Sequence, residues 1–524
     1  MECLPYFERT LIAFLLVIFL AHLIKVAESK KVLFLPASAA SHLMQMDSLA
    51  VGLVARGYEV VTILNSRTKT AKGIVSSNVK VIEFDSGVEP TFQTRVYQEM
   101  TLAPELTDLG LLEKIKLMSK KSALSQSECR GAFLDRNLHR TLEREKFDFV
   151  VVDAIMRCYI IIPYKLGVPF GVFSSFLMPD IPHAALQSPF LVRGPLDDKV
   201  SYGDHPSLLI KLGKLFFITG FVKGNDVFGD ICDIPINELL RQTKLWLYDV
   251  STVLATPMPV SPNVINVGGL NVRRSKYLPE GELKQFVDGA TDGFVLVSFG
   301  SIAKFLPDNI VSILLETFRD VPYKIVWKWD KNSLKTDQVL SSNVFAVNWI
   351  PQNDVLGHRN IKVFVTHCGN SGQHEALYNS VPMVGLPLFG DQMFNCKKIE
   401  GRFGRHIRAK DLSKDKLLHL IKQVISDRKY SDNIKKASAI FRDQPMEPRE
   451  TAAYWIDHVI KYGADHLMST TIEMSWIQIL MWDVLFVVCV VISLLLLVVF
   501  LVCRCLFRRC CRSKIVIKEK AKLS

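Results

Sequence analysis

Hydrophobic positions along the chain fall into short β-branched runs alternating with helical-period segments, framed by two long apolar stretches. Leu11 to Ala21 is unbroken apolar, with small residues at Ala27 and Ser29 before the first strand. That pattern predicts a cleaved secretory signal over residues 1–29. The weakly charged start, where Glu2 and Glu8 offset Arg9, leaves an uncleaved anchor as the competing reading. Lys31 to Pro36 predicts a strand, Leu43 to Arg56 an amphipathic helix closed by Gly57, and Glu59 to Leu64 a second strand. Together they make a βαβ unit opening a doubly wound domain. Residues 66–145 are ambiguous, with helical stretches around Leu111 to Lys121 and Gly131 to Arg144. Phe149 to Val152 predicts a buried parallel strand ending in Asp153, and Pro169 to Ser175 another. Pro179 to Gly224, rich in Pro, Phe and Leu without clear period, lines a ligand pocket or forms an ordinary helix pair under the core. Within it, Leu208 to Phe221 is apolar enough to touch a bilayer.

Val264 to Leu270 closes this first unit, and Asn271 to Gly293 reads as a polar linker. A second Rossmann-like unit follows, with strands at Phe294 to Phe299, Tyr323 to Trp327, Val344 to Val347, Val363 to Thr366 and Met383 to Leu386. Helices are expected at Asn309 to Arg319, Lys414 to Ile425, Tyr430 to Phe441 and Glu447 to Tyr462. Val484 to Cys503 is twenty uncharged residues, enough to span a hydrocarbon core. The expected division is 1–29 signal, 30–275 first domain, 276–445 second domain, 446–483 bracing helices, 484–503 transmembrane helix and 504–524 tail.

Composition changes this picture in two places. The 524 residues are 49% hydrophobic and 22% charged, which fits a globular chain and not a disordered one. The net charge of +12 would point to nucleic acid, but Arg504 to Ser524 holds eight Lys and Arg against Glu519, or 8 − 1 = +7. Most of the excess sits in one tail, so nucleic acid is not expected. Asp483 before the apolar run and Arg504, Arg508, Arg509 and Arg512 after it put the tail in the cytosol and the body in a lumen. Eleven scattered cysteines carry neither a disulfide framework nor zinc-ligand spacing. One pair, Cys129 with Cys158, can form in an oxidising lumen; buried thiols are the equal alternative. No Asn-x-Ser/Thr acceptor occurs, so N-glycosylation is not expected. Lys520 and Lys522, fifth and third from the end, match a dilysine retrieval signal of the endoplasmic reticulum, or a basic stretch beside anionic lipid.

Candidate chemistry concentrates between Trp349 and Gln392. After the strand ending at Thr366 come His367, Gly369, Ser371 and Gly372, then helix formers from Glu375 to Tyr378. Backbone N–H groups and a helix dipole there make a seat for phosphate. Trp349 offers an indole face to a flat base, with Gln352 beside it. Asp391 and Gln392 can accept from and donate to neighbouring sugar hydroxyls. Gly300 and Ser301 form another strand-to-helix turn able to reach a phosphate, and His42 lies at a strand's carboxyl end, placed for proton transfer.

Trp349, Pro351, Gln352, His358, Thr366, His367, Gly369, Glu375, Pro382, Pro387, Asp391 and Gln392 together resemble the donor signature of the UDP-glycosyltransferases, most closely the animal UDP-glucuronosyltransferases. Cys368 and Ser371 depart from the usual pattern, and altered contacts are expected there. The resemblance implies a GT-B α/β fold: two Rossmann-like domains facing a cleft, plus one C-terminal transmembrane helix. It implies uracil held by Trp349 and Gln352, ribose by Glu375, diphosphate by His367, Ser301 and backbone, and sugar by Asp391 and Gln392. It makes His42 the catalytic base, Asp153 the partner that fixes its tautomer, and Glu447 to Tyr462 a brace on the first domain. Without any Asp-x-Asp, no metal clamp or other cofactor is indicated. The expected partners are a UDP-sugar, a small lipophilic acceptor and membrane lipid, with a homo- or hetero-oligomer open. The expected activity is inverting transfer of glucuronic acid in detoxification at the endoplasmic reticulum membrane. UDP-glucose or another UDP-hexose as donor, or a non-catalytic binding subunit of the same fold, are the alternatives.

Overall fold

Strands made almost wholly of Val, Ile, Leu and Phe must be covered on both faces, which drives them into parallel sheets flanked by helices. The structure, a computed structural model, describes residues 30–67, 73–91, 96, 99, 111–175, 228–255, 257, 260–300, 306–336, 338–479 and 481–520. The expected signal over 1–29, the Pro179 to Gly224 stretch, Ser301 and Lys522 lie outside these residues. Seven strands form the first sheet: β1 (Lys31–Leu35), β2 (Glu59–Asn65), β3 (Lys80–Phe84), β4 (Phe149–Asp153), β5 (Phe170–Ser174), β6 (Leu245–Tyr248) and β7 (Val264–Asn266). Their order is β3-β2-β1-β4-β5-β6-β7, with every pairing parallel. Six strands form the second: β8 (Phe294–Ser298), β9 (Lys324–Lys328), β10 (Val344–Val347), β11 (Ile361–Thr366), β12 (Met383–Gly385) and β13 (Gly404–His406). Their order is β10-β9-β8-β11-β12-β13, again all parallel. In each sheet the order reverses beside the first strand, at β1/β4 and at β8/β11. Doubly wound sheets bind ligands at such switch points.

Several expectations need correcting. The two helical segments expected before β4 are present with other bounds: α2 (Leu111–Leu134) runs on past Lys121 through the expected gap, and α3 (Arg136–Glu145) follows at once. Asp135 starts α3 by accepting from the N–H groups of Asn137 and Leu138. The polar linker contains a helix, Glu282–Asp288, and is pinned by a bidentate pair of Arg273 on Asp354, both contacts 2.7 Å. Strands β3, β6 and β13 gave no clear sequence signal.

After the second sheet the chain returns. Helix α6, Pro448–Tyr462 (α4 and α5 belong to the site below), buries Ala452, Ala453, Ile456 and Val459 against β1, β4 and helix α1 (Ala40–Val54). Gly52 permits the approach, because a Cβ there would stand 2.9 Å from the Arg449 side chain and 3.3 Å from Ala453. Tyr58 donates to Asp457 at the same junction, and Ser48 to the Leu270 carbonyl at 2.5 Å. Met468 and Ile472 continue along the first half, where Arg241 donates to the Ile472 carbonyl at 2.9 Å. The last described element is helix α7 (Trp482–Lys520), whose Trp482–Arg508 part contains an 18-residue window of mean hydropathy 3.6 and is long and apolar enough to cross a membrane.

Candidate functional site

Strands β1 and β4 are neighbours in register, Leu35 beside Val152, so the loop after one faces the end of the other. That adjacency brings together two residues 111 positions apart: His42 Nδ1 lies 2.8 Å from Asp153 Oδ2. Asp153 is fully buried. Its other oxygen caps the following turn through the Ile155 N–H at 3.0 Å, and Ala37 N–H reaches Oδ2 at 3.3 Å. The carboxylate therefore both caps and orients. An acceptor at Nδ1 stabilises the tautomer with hydrogen there, which leaves the Nε2 lone pair for a proton. The Ser175 hydroxyl stands 3.0 Å from that Nε2.

The second half of the site follows β11. Helix α4 starts at Asn370, earlier than the helix formers suggested, and runs to Tyr378. Its first ladder bond is Gln373 N–H to the Gly369 carbonyl, 3.0 Å. The N–H groups of Asn370, Ser371 and Gly372 precede that ladder and face the seat for an anion. His367 is wedged between two backbones: a Cβ on Gly300 would be 2.8 Å from its Nε2, and one on Gly369 2.4 Å. Burial, helped by the charge of Lys328, lowers the His367 pKa to about 4. It therefore meets an anion as a neutral N–H dipole, without a positive charge.

Gln352 donates to Glu375, joining the two residues expected at uracil and ribose. Burial raises the Glu375 pKa to about 7, against the pull of Gln352, Lys328 and Arg273. Trp349 is 64% exposed, with Lys328 Nζ 4.6 Å from its ring centroid. Asp391 and Gln392 open helix α5 (Gln392–Ile399). Gln392 Oε1 is engaged locally, accepting from Leu388 N–H at 2.8 Å and Phe389 N–H at 3.0 Å, so its amide nitrogen is the end left for a ligand. Asp391 accepts from Asn395 at 2.6 Å; burial raises its pKa, opposed by Asn395 and by the charges of Lys398 and His42.

Ser371 is placed differently from expectation. Its hydroxyl accepts from Gln45 at 3.2 Å, one turn beyond His42 on α1, so the side chain serves the junction between halves. Gln45 also donates to the buried Asp249, and Asn370 Nδ2 donates to the carbonyls of Ser175 and Asp249, both at 2.7 Å. Gln45, Ser175, Asp249, Asn370 and Lys328 were all missed in the sequence. Only the i, i+3 spacing of His42 and Gln45 on one helix face offered a signal. Among the described residues no group of three or more His, Cys, Asp or Glu could hold a metal ion.

Cysteine pairing departs further from the sequence reading. Cys129 is bonded to Cys158, as one alternative had it, and Cys368 to Cys396 in addition. The second bond ties the loop carrying His367 and Gly369 to the helix that begins after Asp391. Gly385 lies directly beneath, since a Cβ there would be 2.5 Å or less from both sulfurs. Replacing Cys396 with alanine should lower the melting temperature by roughly 5–10 °C, from a loss of about 3 kcal/mol. It should also raise KM for the nucleotide ligand more than KM for its co-substrate. Mass mapping of unreduced peptides, followed by kinetics of the variant, checks both; free thiols at both positions would remove the bond.

The "UDP-glucoronosyl and UDP-glucosyl transferase" family profile matches residues 30–521. Human UDP-glucuronosyltransferase 1A10 is 28% identical over 511 residues, 95% of each chain. UDP-glucuronosyltransferase 2B18 of Macaca fascicularis is 29% identical over 469 residues, covering 85% of this chain and 87% of that protein. Among solved structures, a UDP-glucose: anthocyanidin 3-O-glucosyltransferase in complex with UDP superposes with TM-score 0.56 at 20% identity, over 83% of this chain and 99% of that one.

Proposed function

The chain belongs to the UDP-glucuronosyl and UDP-glucosyl transferases, a GT-B family that moves sugar from a UDP carrier to an acceptor, and from that premise we propose an inverting, membrane-anchored glucuronosyltransferase acting on small lipophilic hydroxyl compounds. The observation that carries the reading is the 2.8 Å pairing of His42 with Asp153 opposite the N-terminus of α4. His42 Nε2 takes the proton of the acceptor hydroxyl as its oxygen attacks the anomeric carbon. The bond from that carbon to the diphosphate breaks on the opposite face, so configuration inverts. Asp153 supports the imidazolium that results. Departing negative charge is met by the N–H groups of Asn370, Ser371 and Gly372, by the helix dipole, and by the His367 N–H. The step as drawn uses no metal. Asp391 and the amide of Gln392 hold the sugar, Glu375 the ribose, and Trp349 with Gln352 the base; Ser301 completes the diphosphate contacts.

Glucuronic acid is chosen over glucose because the full-length relatives are named as glucuronosyltransferases. The intact His42–Asp153 pair disfavours a non-catalytic subunit. A disulfide in each half supports an oxidising compartment. With the basic segment after the apolar helix, this supports a lumenal body and a cytosolic tail at the endoplasmic reticulum membrane. Lipid contact and assembly with further glycosyltransferase chains belong to the same proposal.

The test is to incubate microsomes carrying the protein with labelled UDP-glucuronic acid, UDP-glucose and other UDP-hexoses, each against a panel of phenols. We expect kcat/KM for UDP-glucuronic acid to exceed the others by at least about tenfold, the discrimination one well-placed charged contact can supply. Preference for UDP-glucose by a similar factor would move the protein to the glucosyl branch. No turnover with any donor would reject the enzyme reading.

A further inference from the structure

Ser175 follows β5, is buried, and makes two contacts in different directions. Its hydroxyl stands 3.0 Å from His42 Nε2, the nitrogen that receives the acceptor's proton in the function proposed above. Its carbonyl accepts from Asn370 Nδ2 at 2.7 Å, and Asn370 is the first residue of the helix whose N-terminus receives the diphosphate. Asp153, His42 and Ser175 thus form a row of hydrogen bonds, and one end of the row is fastened to the donor half.

The Nε2 lone pair is the reactive group of the proposed mechanism, and it does not distinguish one hydroxyl from another. Water held there beside a bound UDP-sugar would lose its proton to the same base and attack the same carbon. The donor would then be hydrolysed to free sugar and UDP. Water is far more abundant than any lipophilic acceptor, so a transferase needs something that occupies the base until the acceptor arrives. A serine hydroxyl donating to Nε2 does this without introducing charge. An acceptor with a large apolar body can displace it, because burial of that body offsets the exchanged hydrogen bond. Water brings no such burial.

Resting on that functional reading, we propose that Ser175 is a positioning residue that reserves the His42 base for the acceptor and keeps water from it. Asn370 fastens the backbone that carries this guard to the donor half. On acceptor binding the Ser175 hydroxyl turns from Nε2 and donates to a neighbouring oxygen. It forms no covalent bond.

The experiment compares full-length wild type, Ser175→Ala, Ser175→Thr and Ser175→Cys in detergent. UDP binding serves as the control for folding. Two rates are read for each protein: UDP released from the preferred UDP-sugar without acceptor, and glycoside formed with acceptor present. In Ser175→Ala the ratio of hydrolysis to transfer should rise about fivefold, the effect of one net hydrogen bond. Threonine, which retains the hydroxyl, should restore the wild-type ratio, and cysteine, a weak donor, should fall between. A purely structural role would lower both rates together and leave the ratio unchanged, which overturns the inference. Finding the sugar attached to Ser175 also overturns it, since the residue would then be a nucleophile. If Ser175→Ala fails to bind UDP, the near-isosteric cysteine decides on the same ratio. A wild-type protein that transfers from no UDP-sugar rejects the functional reading and, with it, this one.

Discussion

Replacing His42 with alanine is expected to lower glycoside formation by about 10²–10⁴-fold, the usual worth of a positioned base, while the affinity for UDP stays within about twofold. The separation follows from where the residues lie. His42 belongs to α1 on the first half, whereas His367, Glu375, Gln352 and Asp391 belong to the second. Removing the imidazole leaves the nucleotide seat untouched and takes away the group that receives the acceptor's proton. UDP titration by calorimetry beside single-turnover glycoside formation measures both. Activity within severalfold of wild type would remove His42 from the mechanism.

The second large effect is expected for Asp153→Asn, again about 10²–10⁴-fold, with little change in folding. Asparagine retains an oxygen that can accept from the Ile155 N–H and preserve the cap. Its amide nitrogen then faces His42 Nδ1, across a contact of 2.8 Å in the native protein. An N–H pointing at Nδ1 selects the opposite tautomer and puts the hydrogen on Nε2. A base already carrying hydrogen on the working nitrogen cannot take the acceptor's proton, and the same logic governs histidine–aspartate pairs elsewhere. The Ala37 N–H loses its acceptor in the variant, so the melting temperature should fall slightly while UDP affinity stays unchanged and kcat drops. A fall in stability without a fall in kcat would mean that Asp153 acts only as a cap.

The two halves of the site differed in how readable they were. Donor-side residues could be read because each follows its own strand locally: His367 and Gly369 after β11, Asp391 and Gln392 after β12, Gln352 after β10. The His42–Asp153 contact needed the knowledge that β1 lies beside β4, although β2 and β3 intervene in sequence. Family resemblance supplied the pairing, and strand order supplies its physical reason. Contacts across the cleft, such as Gln45 to Ser371 and Asn370 to Ser175, were invisible because no local pattern encodes how two domains dock. Strand β6 escaped because Leu245–Tyr248 holds no β-branched residue, and β3 because it is largely exposed and lacks an apolar run. Cys396 gave no signal either. Its partner sits at the end of a strand 28 positions earlier, and only the packing of β11 beside β12 makes them neighbours.

The return of α6 decides which part of the enzyme is moored. From Glu447 onward the chain leaves the donor half, runs along the face of the first sheet, and only then enters the apolar helix. An anchor at this helix, which is long and apolar enough to cross a membrane, would therefore moor the first half directly and the second only through it.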